Sequence, residues 1–258
     1  MSIVLNENDW AAKMIKSRSL GNKPYETLCR VAKYYAENDG YSKSGVRDKI
    51  EEFLLLCEPS ASITKWSHTL DIVVNRAFKY KSINIDCINI TDKEMAKIDS
   101  LDSRQMKRLA FTLLCLAKYW DAVNPNGDHW VNSRDSEIMC MANISASVRR
   151  QSALYHELNQ LGMIQFSKKI DNTNVRVLFM EEGVTVYTVY DFNNLGYQYQ
   201  MYHGEPFFIC ENCGTTTKMK NPNVGRRQKY CSDCAAEIMV RQNVNSVMRC
   251  RGKINETP

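Results

Sequence analysis

Four of the ten cysteines form two close pairs, and this spacing constrains the fold more than any other feature of the chain. Two residues separate Cys210 from Cys213, two separate Cys231 from Cys234, and seventeen lie between the pairs. At this spacing both thiolates of one turn can face a single ion, so two such turns supply four soft ligands at tetrahedral corners. The pattern predicts one structural Zn²⁺ per chain, because four Cys ligands leave no open position for a reacting water.

Two alternatives to a metal site remain for these cysteines. The first is a set of reduced thiols without metal, which has to explain a paired spacing that chance seldom produces. The second is a redox role for one pair, which leaves the other pair without a use. Gly214, directly after the first pair, favours the metal interpretation because the chain must turn past the ion at that point. The arrangement resembles a zinc ribbon, which implies a small module over residues 207–258 with a basic C-terminal helix.

The formal net charge of +5 is concentrated in that same module. From Cys210 to Pro258, nine Lys and Arg stand against four Asp and Glu, a difference of +5, while the other 209 residues hold 25 of each sign. A basic end on a neutral body favours a polyanionic partner, although zinc ribbons also bind other proteins. The candidate phosphate contacts between the cysteine pairs are Lys218, Lys220, Arg226, Arg227 and Lys229.

Apolar residues recur at helical spacing through the first 80 residues. The predicted helices span residues 10–20, 25–37, 42–57 and 65–80, with Gly or Pro in the breaks between them. Four helices of this kind are enough for a small bundle. We therefore expect an N-terminal helical domain over residues 1–100. Within it, Thr91 and Glu94 form a capping-box pattern after an extended connector.

Residues 132–180 combine helical and strand-like patterns in close succession. Asn132 and Ser133 are expected to cap one helix, and Ser145 a second helix that ends at Gly162. Apolar residues of the second helix recur at spacings of three, four and seven; they are Val148, Leu154, Tyr155, Leu158 and Leu161. Alternating residues on both sides of 171–174 are typical of a hairpin.

This order of elements resembles the winged-helix family of nucleic-acid-binding domains. The phrase from Leu154 to Ile164 is similar to that family's passage from the recognition helix into the wing. An upstream helix over residues 103–120 and a short strand at Trp130 and Val131 complete the pattern. The resemblance covers about 80 of the 258 residues and implies a winged-helix domain over residues 101–183.

The resemblance also implies which residues face nucleic acid. The exposed side of the second helix would meet base edges, where Arg binds guanine and Gln binds adenine, and the wing would hold phosphates. The candidate contacts are Ser147, Arg149, Arg150, Gln151, Lys168, Lys169 and Arg176. A winged helix that docks protein is the alternative, since Glu157 adds negative charge to the same helix.

The segment over residues 184–206 predicts a β-hairpin connector. Residues 184–190 alternate, residues 193–196 are typical of a turn, and residues 197–202 form a second extended run. Its tyrosines would either stack on unpaired bases or cover a sheet face. The fold class that follows is mainly α with small β elements (α+β), in which a helical bundle, a winged helix and a zinc ribbon succeed one another.

Several functional classes lack their signatures in this chain. It has no Walker loop, no His-Glu-x-x-His and no Gly-x-Ser-x-Gly, and its four His residues are scattered, so we expect a protein that is not an enzyme. No run of 18 apolar residues occurs, so we expect no membrane span. The first residues lack the pattern of a signal peptide, which favours a cytoplasmic location.

Two functional hypotheses remain open. In general style the chain resembles phage and mobile-element proteins that combine a winged helix with a terminal Cys-x-x-Cys pair. That resemblance implies a nucleic-acid-binding protein, with DNA as target, that acts in replication initiation or transcriptional regulation in the host cytoplasm. The alternative is a non-enzymatic protein that binds and inhibits a host enzyme or defence complex, with a host protein or nucleoprotein as partner.

Overall fold

A computed structural model describes residues 3–168, 174–220 and 228–254; the side chains of residues 241, 245 and 248–254 are left out. The protein is 55% helical with 11% strand in small sheets, which confirms the mainly α class with small β elements. It divides into two compact units. Unit 1 comprises Met1–Asn89, Lys118–Asp128 and Thr188–Phe192, and unit 2 comprises Ile90–Ala117, His129–Tyr187 and Asn193–Pro258.

The helices of unit 1 pack around one apolar core. They are α1 (Glu7–Ser17), α2 (Pro24–Glu37), α3 (Lys43–Cys57) and α4 (Ile63–Lys79), all within two or three residues of the predicted spans. Asn6 and Ser42 cap α1 and α3 through their side chains, and Pro24 occupies the first position of α2. The core is formed by side chains such as Leu28, Val31, Ile50, Leu54, Leu70 and Val73.

A buried ion cluster lies beside this core. Glu7 accepts hydrogen bonds from Lys33 Nζ at 2.8 Å and Arg30 Nε at 3.3 Å, and all three side chains are less than a tenth exposed. The backbone N–H of Ile83 donates to the same carboxylate at 3.1 Å. Because a buried charge without a partner is costly, the cluster ties the segment after α4 to α1 and α2.

Strand β1 (Ile88–Thr91) opens the next segment, and it is followed by α5 (Asp92–Asp99). The predicted capping box is confirmed: Thr91 Oγ1 accepts from the N–H of Glu94, and Glu94 Oε2 accepts from the N–H of Thr91 at 2.9 Å. Strand β1 pairs with β5 (Thr185–Val189). Beyond the ends of the two strands, the Asp92 N–H donates to Val184 O at 2.8 Å.

Helices and short strands follow one another in the central segment. It contains α6 (Arg104–Val123), β2 (Trp130–Val131), α7 (Asp135–Met141), α8 (Val148–Gln160), β3 (Ile164–Phe166) and β4 (Val175–Val177). The three strands form an antiparallel sheet in the order β2-β4-β3. Gly162 ends α8 with a φ of +68°, in the left-handed region that favours glycine. The predicted hairpin tip over 171–174 lies almost wholly outside the described residues.

Two predicted helix caps in this segment are wrong. Helix α7 begins later than expected, and its N-cap is Arg134, which makes no side-chain capping bond, instead of Asn132 or Ser133. Helix α8 is capped by Ser147, whose Oγ accepts from the N–H of Arg150, instead of Ser145. The linker is longer than predicted because Asn143 turns the chain with a φ of +55° and Ile144 is buried before α8 can begin.

The predicted hairpin over residues 184–206 is also wrong. After β5 the chain forms helix α9 (Leu195–Tyr202) instead of a second strand. Leu195 and Tyr199, one helical turn apart, are both buried. A Cβ on Gly196 would lie 2.0 Å from the carbonyl oxygen of Ala142, so only glycine allows this approach to the end of α7. The buried residues are four positions apart, as on one face of a helix. The alternation of tyrosine and glutamine in the same segment instead suggested a strand.

The C-terminal region of unit 2 contains β6 (Phe207–Ile209), β7 (Thr216–Lys218) and α10 (Ser232–Ile254). Strands β6 and β7 pair antiparallel, with Phe207 opposite Lys218 and Ile209 opposite Thr216. Among the described residues, no helix has both the length and the apolar character needed to cross a membrane.

Candidate metal centre and nucleic-acid interface

The β6–β7 hairpin positions the first cysteine pair. Cys210 follows β6 directly, and its N–H donates to Thr215 O at 3.1 Å, which extends the ladder by one step. The Gly214 N–H then donates back to Cys210 O at 2.9 Å, and Gly214 has a φ of +74°. A left-handed residue is therefore needed where the chain turns back, and glycine supplies it without strain.

The start of α10 positions the second pair. Cys231 precedes the helix, and its carbonyl accepts from the Ala235 N–H at 2.9 Å in the first helical turn. Cys234 lies within that turn, and its N–H donates to Cys231 Sγ at 3.5 Å. The partial positive charge at a helix N-terminus stabilises thiolates placed there.

The four sulfur atoms converge on one point. All four lie within 4.8 Å of one another, and Cys213 Sγ is 3.8 Å from Cys231 Sγ. Zn–S bonds of about 2.3 Å at tetrahedral angles place neighbouring sulfurs about 3.8 Å apart. The cluster could therefore hold a metal ion, and the donor set of four thiols suits zinc. We refer to residues 207–220 and 228–235, which contain β6, β7 and the first turn of α10, as the cysteine module.

Hydrogen bonds to sulfur and burial shift the thiol pKa values in opposite directions. Burial raises the pKa of Cys210, but backbone N–H groups of Cys213, Cys231 and Asn212 lower it, and the pKa falls to about 6. For Cys234, the side-chain hydrogen bond from Asn212 lowers the pKa, whereas burial and the three neighbouring thiols raise it to about 12. Four thiolates at this distance repel one another, so full ionisation calls for a bound cation.

Asn212 is a residue of this centre that the sequence analysis did not single out. Its Nδ2 donates to Cys234 Sγ at 3.3 Å and links the first cysteine turn to the second pair. Partners of this kind orient ligands around a metal. The only signal in the sequence is its place between Cys210 and Cys213, which many residue types can fill.

Three of the four candidate contacts on α8 are engaged within the protein. Ser147 caps the helix, Gln151 Nε2 donates to Ala146 O at 2.8 Å, and Arg150 forms an ion pair with Glu157 at 2.6 Å. The Arg150 Nε also lies 3.5 Å from Gln105 Oε1 on α6. These side chains hold the first turns of α8 in place and have less capacity left for a ligand.

Arg149 differs from its neighbours on the same helix. Its side chain is exposed and makes no hydrogen bond or ion pair with the part of the chain that the structure describes. Val148 beside it is 78% exposed, which contradicts its predicted place in the apolar stripe. Leu161 is also exposed, so Leu154, Tyr155 and Leu158 alone form the buried face of the predicted set.

The candidate contacts on the wing occupy different environments. Lys168 is exposed just after β3. Arg176 is half-buried at the centre of β4, between Trp130 of β2 and Gln165 of β3 in the strand register, and it takes part in further interactions within the protein. Lys169 lies outside the described residues.

The cations of the cysteine module are mostly available to a partner. Lys218 and Lys220 are exposed, and within the described ranges their side chains have no ion pair. Lys229 lies 3.4 Å from Glu211, and both side chains are more than half exposed. Arg226 and Arg227 lie outside the described residues. The module thus presents lysines without fixed partners close to the cysteine cluster.

Comparisons with protein-family models, curated proteins and solved structures find no match for this chain. Its function is therefore inferred from the geometry of its own residues. That geometry offers a four-sulfur cation site and two exposed basic elements in unit 2, namely the first turn of α8 and the cysteine module.

Proposed function

We propose that the chain binds nucleic acid, with duplex DNA as its target, through α8 and the cysteine module. The observation that carries this proposal is Arg149, which is exposed and unpaired among the described residues at the first turn of α8. The opposite side of that helix is buried through Leu154 and Leu158, so the helix is anchored while its N-terminal turn faces solvent. This is the arrangement by which recognition helices meet a groove.

The N-terminal turn of α8 suits a phosphate or a base edge. The helix dipole places partial positive charge there, and the first backbone N–H groups point outward. Arg149 adds a guanidinium that can donate two hydrogen bonds to one guanine, or bind a phosphate. Lys168 after β3, Lys218 at the end of β7 and Lys220 just beyond it add charges that would contact phosphates without reading sequence.

The ion of the cysteine module is proposed to be a structural Zn²⁺, one per chain. Among the described residues, Tyr230 is the one partly buried apolar side chain that packs against the cysteine cluster, and the module's other buried apolar side chains are Phe207 and Phe208 of β6. So small a cluster does not stabilise a fold by burial alone, and a metal supplies the missing free energy. Metal analysis of the purified chain should give one zinc per chain. A value well under one equivalent would contradict the proposed zinc site.

The cellular role follows from the resemblance to phage and mobile-element proteins. Binding at a replication origin or a promoter in the host cytoplasm would require both a sequence-reading helix and a general phosphate grip. In this proposal, Arg149 supplies the sequence-reading contact, and the lysines of the cysteine module supply the phosphate contacts.

A second candidate function is favoured by a cavity in unit 2 whose lining combines apolar side chains with Lys97, Ser100 and Asp102. It has a volume of about 460 Å³ and is lined by side chains that include Met106, Leu161, Met163, Leu178 and Phe179. Leu161 and Leu178 are 60% and 45% exposed. Apolar surface of this kind suits a protein partner, as expected if the chain inhibits a host enzyme or defence complex.

Salt-dependent binding separates the two functions. Fluorescence anisotropy of a labelled duplex with the zinc-loaded chain should show tight binding at low salt and a steep linear loss of log affinity with log salt concentration. Arg149→Ala should weaken binding at every salt concentration. Absence of duplex binding at low salt, together with stable co-purification of one host protein, would contradict the first function and support the second.

A further inference from the structure

Exposed aromatic rings and cations alternate on one surface of unit 1, among residues that the proposed function does not use. Tyr25 lies in the first turn of α2, Arg76 and Lys79 lie in the last turn of α4, and Tyr80 follows that helix. Tyr25 and Tyr80 are 37% and 48% exposed, and both cations are exposed. We call these four residues the basic aromatic patch.

The guanidinium of Arg76 organises the patch. Its Nη1 donates to the Tyr25 hydroxyl at 3.1 Å. Its central carbon lies 6.0 Å from the centroid of the Tyr25 ring and 5.8 Å from that of Tyr80. Lys79 Nζ lies 5.2 Å from the Tyr80 ring. These cation–π distances hold two rings and two charges in one arrangement before any ligand arrives.

Acidic side chains of α2 and α4 have partners outside the patch, and Asp71, five residues before Arg76, pairs with Arg47. Glu26, next to Tyr25, is only 19% exposed and lies 3.4 Å from Lys23 and 4.0 Å from Arg30. Glu37 accepts a hydrogen bond from the Ser82 N–H at 2.8 Å. Neither carboxylate forms an ion pair with Arg76 or Lys79 among the described contacts, so the patch keeps its positive charge.

We infer that the basic aromatic patch binds single-stranded nucleic acid. Unpaired bases stack on tyrosine rings and on the guanidinium plane, while an ammonium such as that of Lys79 holds the phosphate between them. A duplex fits poorly, because its bases are already stacked on one another and present only their edges. Ile72, one turn before Arg76 on the same face of α4, adds exposed apolar surface beside the rings.

This inference goes beyond the proposed function and does not depend on it. Duplex binding is assigned to Arg149 and the cysteine module in unit 2, whereas the patch belongs entirely to unit 1. A chain with both surfaces would hold duplex and unpaired strands through different residues. Each activity can therefore be lost without the other.

The test compares two ligands of equal length and charge. The zinc-loaded full chain is titrated into a labelled oligothymidine and into a labelled abasic phosphodiester chain. The wild type should bind the oligothymidine more tightly, and Tyr80→Ala should weaken that binding about tenfold while leaving abasic binding unchanged. Tyr80→Phe should retain wild-type affinity, because the stacking surface is preserved.

The matched control is Phe78→Ala, which removes an aromatic ring that is 49% exposed on the far side of the same helix. It should bind both ligands as the wild type does. Lys79→Ala should weaken both ligands equally, since it removes a phosphate contact. If Tyr80→Ala disturbs the bundle, as judged by helical circular dichroism, Tyr25→Ala provides the same comparison.

Two results would overturn the inference. One is equal affinity of the wild type for oligothymidine and the abasic chain, and the other is an unchanged preference in Tyr80→Ala. Duplex binding by Tyr80→Ala keeps the two proposals apart: it should equal that of the wild type, whereas Arg149→Ala should lose duplex affinity and keep its preference for oligothymidine.

Discussion

Helix α8 and the cysteine module both carry residues that the sequence suggests for nucleic-acid contact, but the protein uses them differently. On α8, Ser147, Arg150 and Gln151 form bonds that fix the helix, and Arg149 is left exposed. On the cysteine module, Lys218 and Lys220 are exposed with no ion pair among the described residues.

This difference indicates which residues would supply affinity for nucleic acid and which would supply sequence specificity. Lysines on a short hairpin act as flexible point charges, so they add affinity without reading sequence. An arginine on a fixed helix can select a base, yet a single arginine selects little. In the proposed binding, the lysines therefore supply most of the electrostatic affinity and Arg149 supplies the sequence-reading contact, and the following predictions test that division.

The largest effect is expected from removing one cysteine ligand. Cys213→Ser should unfold the cysteine module, because structural zinc contributes on the order of 10 kcal/mol to such folds. Limited proteolysis read by mass spectrometry should then show new cuts within residues 207–240, while the helices of unit 1 stay protected. Duplex affinity should also decrease when the module unfolds.

Cys140→Ser is the control for this variant. Cys140 is an exposed cysteine outside the cluster, so its loss should change neither the proteolysis pattern nor the zinc content. Equal protection of the module in Cys213→Ser and Cys140→Ser would show that the metal does not hold it together.

The next effect concerns two lysines of the cysteine module, one at the end of β7 and one just after it. Lys218→Ala combined with Lys220→Ala should make duplex binding less sensitive to salt. The slope of log affinity against log salt concentration should become shallower by roughly 0.9 for each lysine that contacts a phosphate. A matched loss of two charges, Lys13→Ala with Lys16→Ala on the exposed side of α1, should leave that slope unchanged. Equal slopes for the two double variants would mean that net charge, and not the module, drives binding.

Arg149 and Arg150 provide a comparison within one helix. Arg149→Ala should weaken duplex binding by about 1–3 kcal/mol, the usual effect of losing a base-contacting arginine. Arg150→Ala should cost less, because that guanidinium is already shared between Glu157 and Gln105. Anisotropy titrations at one salt concentration decide between them, and a larger loss in Arg150→Ala would reverse the assignment.

The smallest effect is expected from Glu157→Gln. This change removes the acid that pairs with Arg150 and should strengthen duplex binding slightly, by at most about 1 kcal/mol. The gain is small because both side chains of the pair are more than a third exposed, so water already screens their interaction. Weaker binding would indicate that Glu157 positions Arg150 for its ligand.

How far the sequence predicts this molecule depends on whether the signal is local. The cysteine cluster was predicted correctly, because ligand spacing within a turn is set by a few neighbouring residues. The four helices of unit 1 were predicted within two or three residues at each end for the same reason. The capping box of Thr91 and Glu94 is also local, and it was found.

The errors in the connector and in the availability of Arg150 occurred where distant residues decide the structure. Helix α9 depends on the contact of Gly196 with Ala142, and on Asn143, whose Nδ2 donates to Asn194 at 2.8 Å. The pairing of Arg150 with Gln105 joins two helices that are far apart in sequence. No periodicity within either segment contains this information, so neither the connector nor the availability of Arg150 could be predicted.

Hydrogen exchange of the zinc-loaded chain, measured with and without a saturating duplex, tests the central claim most directly. The account predicts slower exchange in peptides that cover residues 147–152 and 216–220 when the duplex is bound, with unit 1 unchanged. Protection confined to unit 1, or no protection anywhere under conditions in which the duplex is bound, would contradict it.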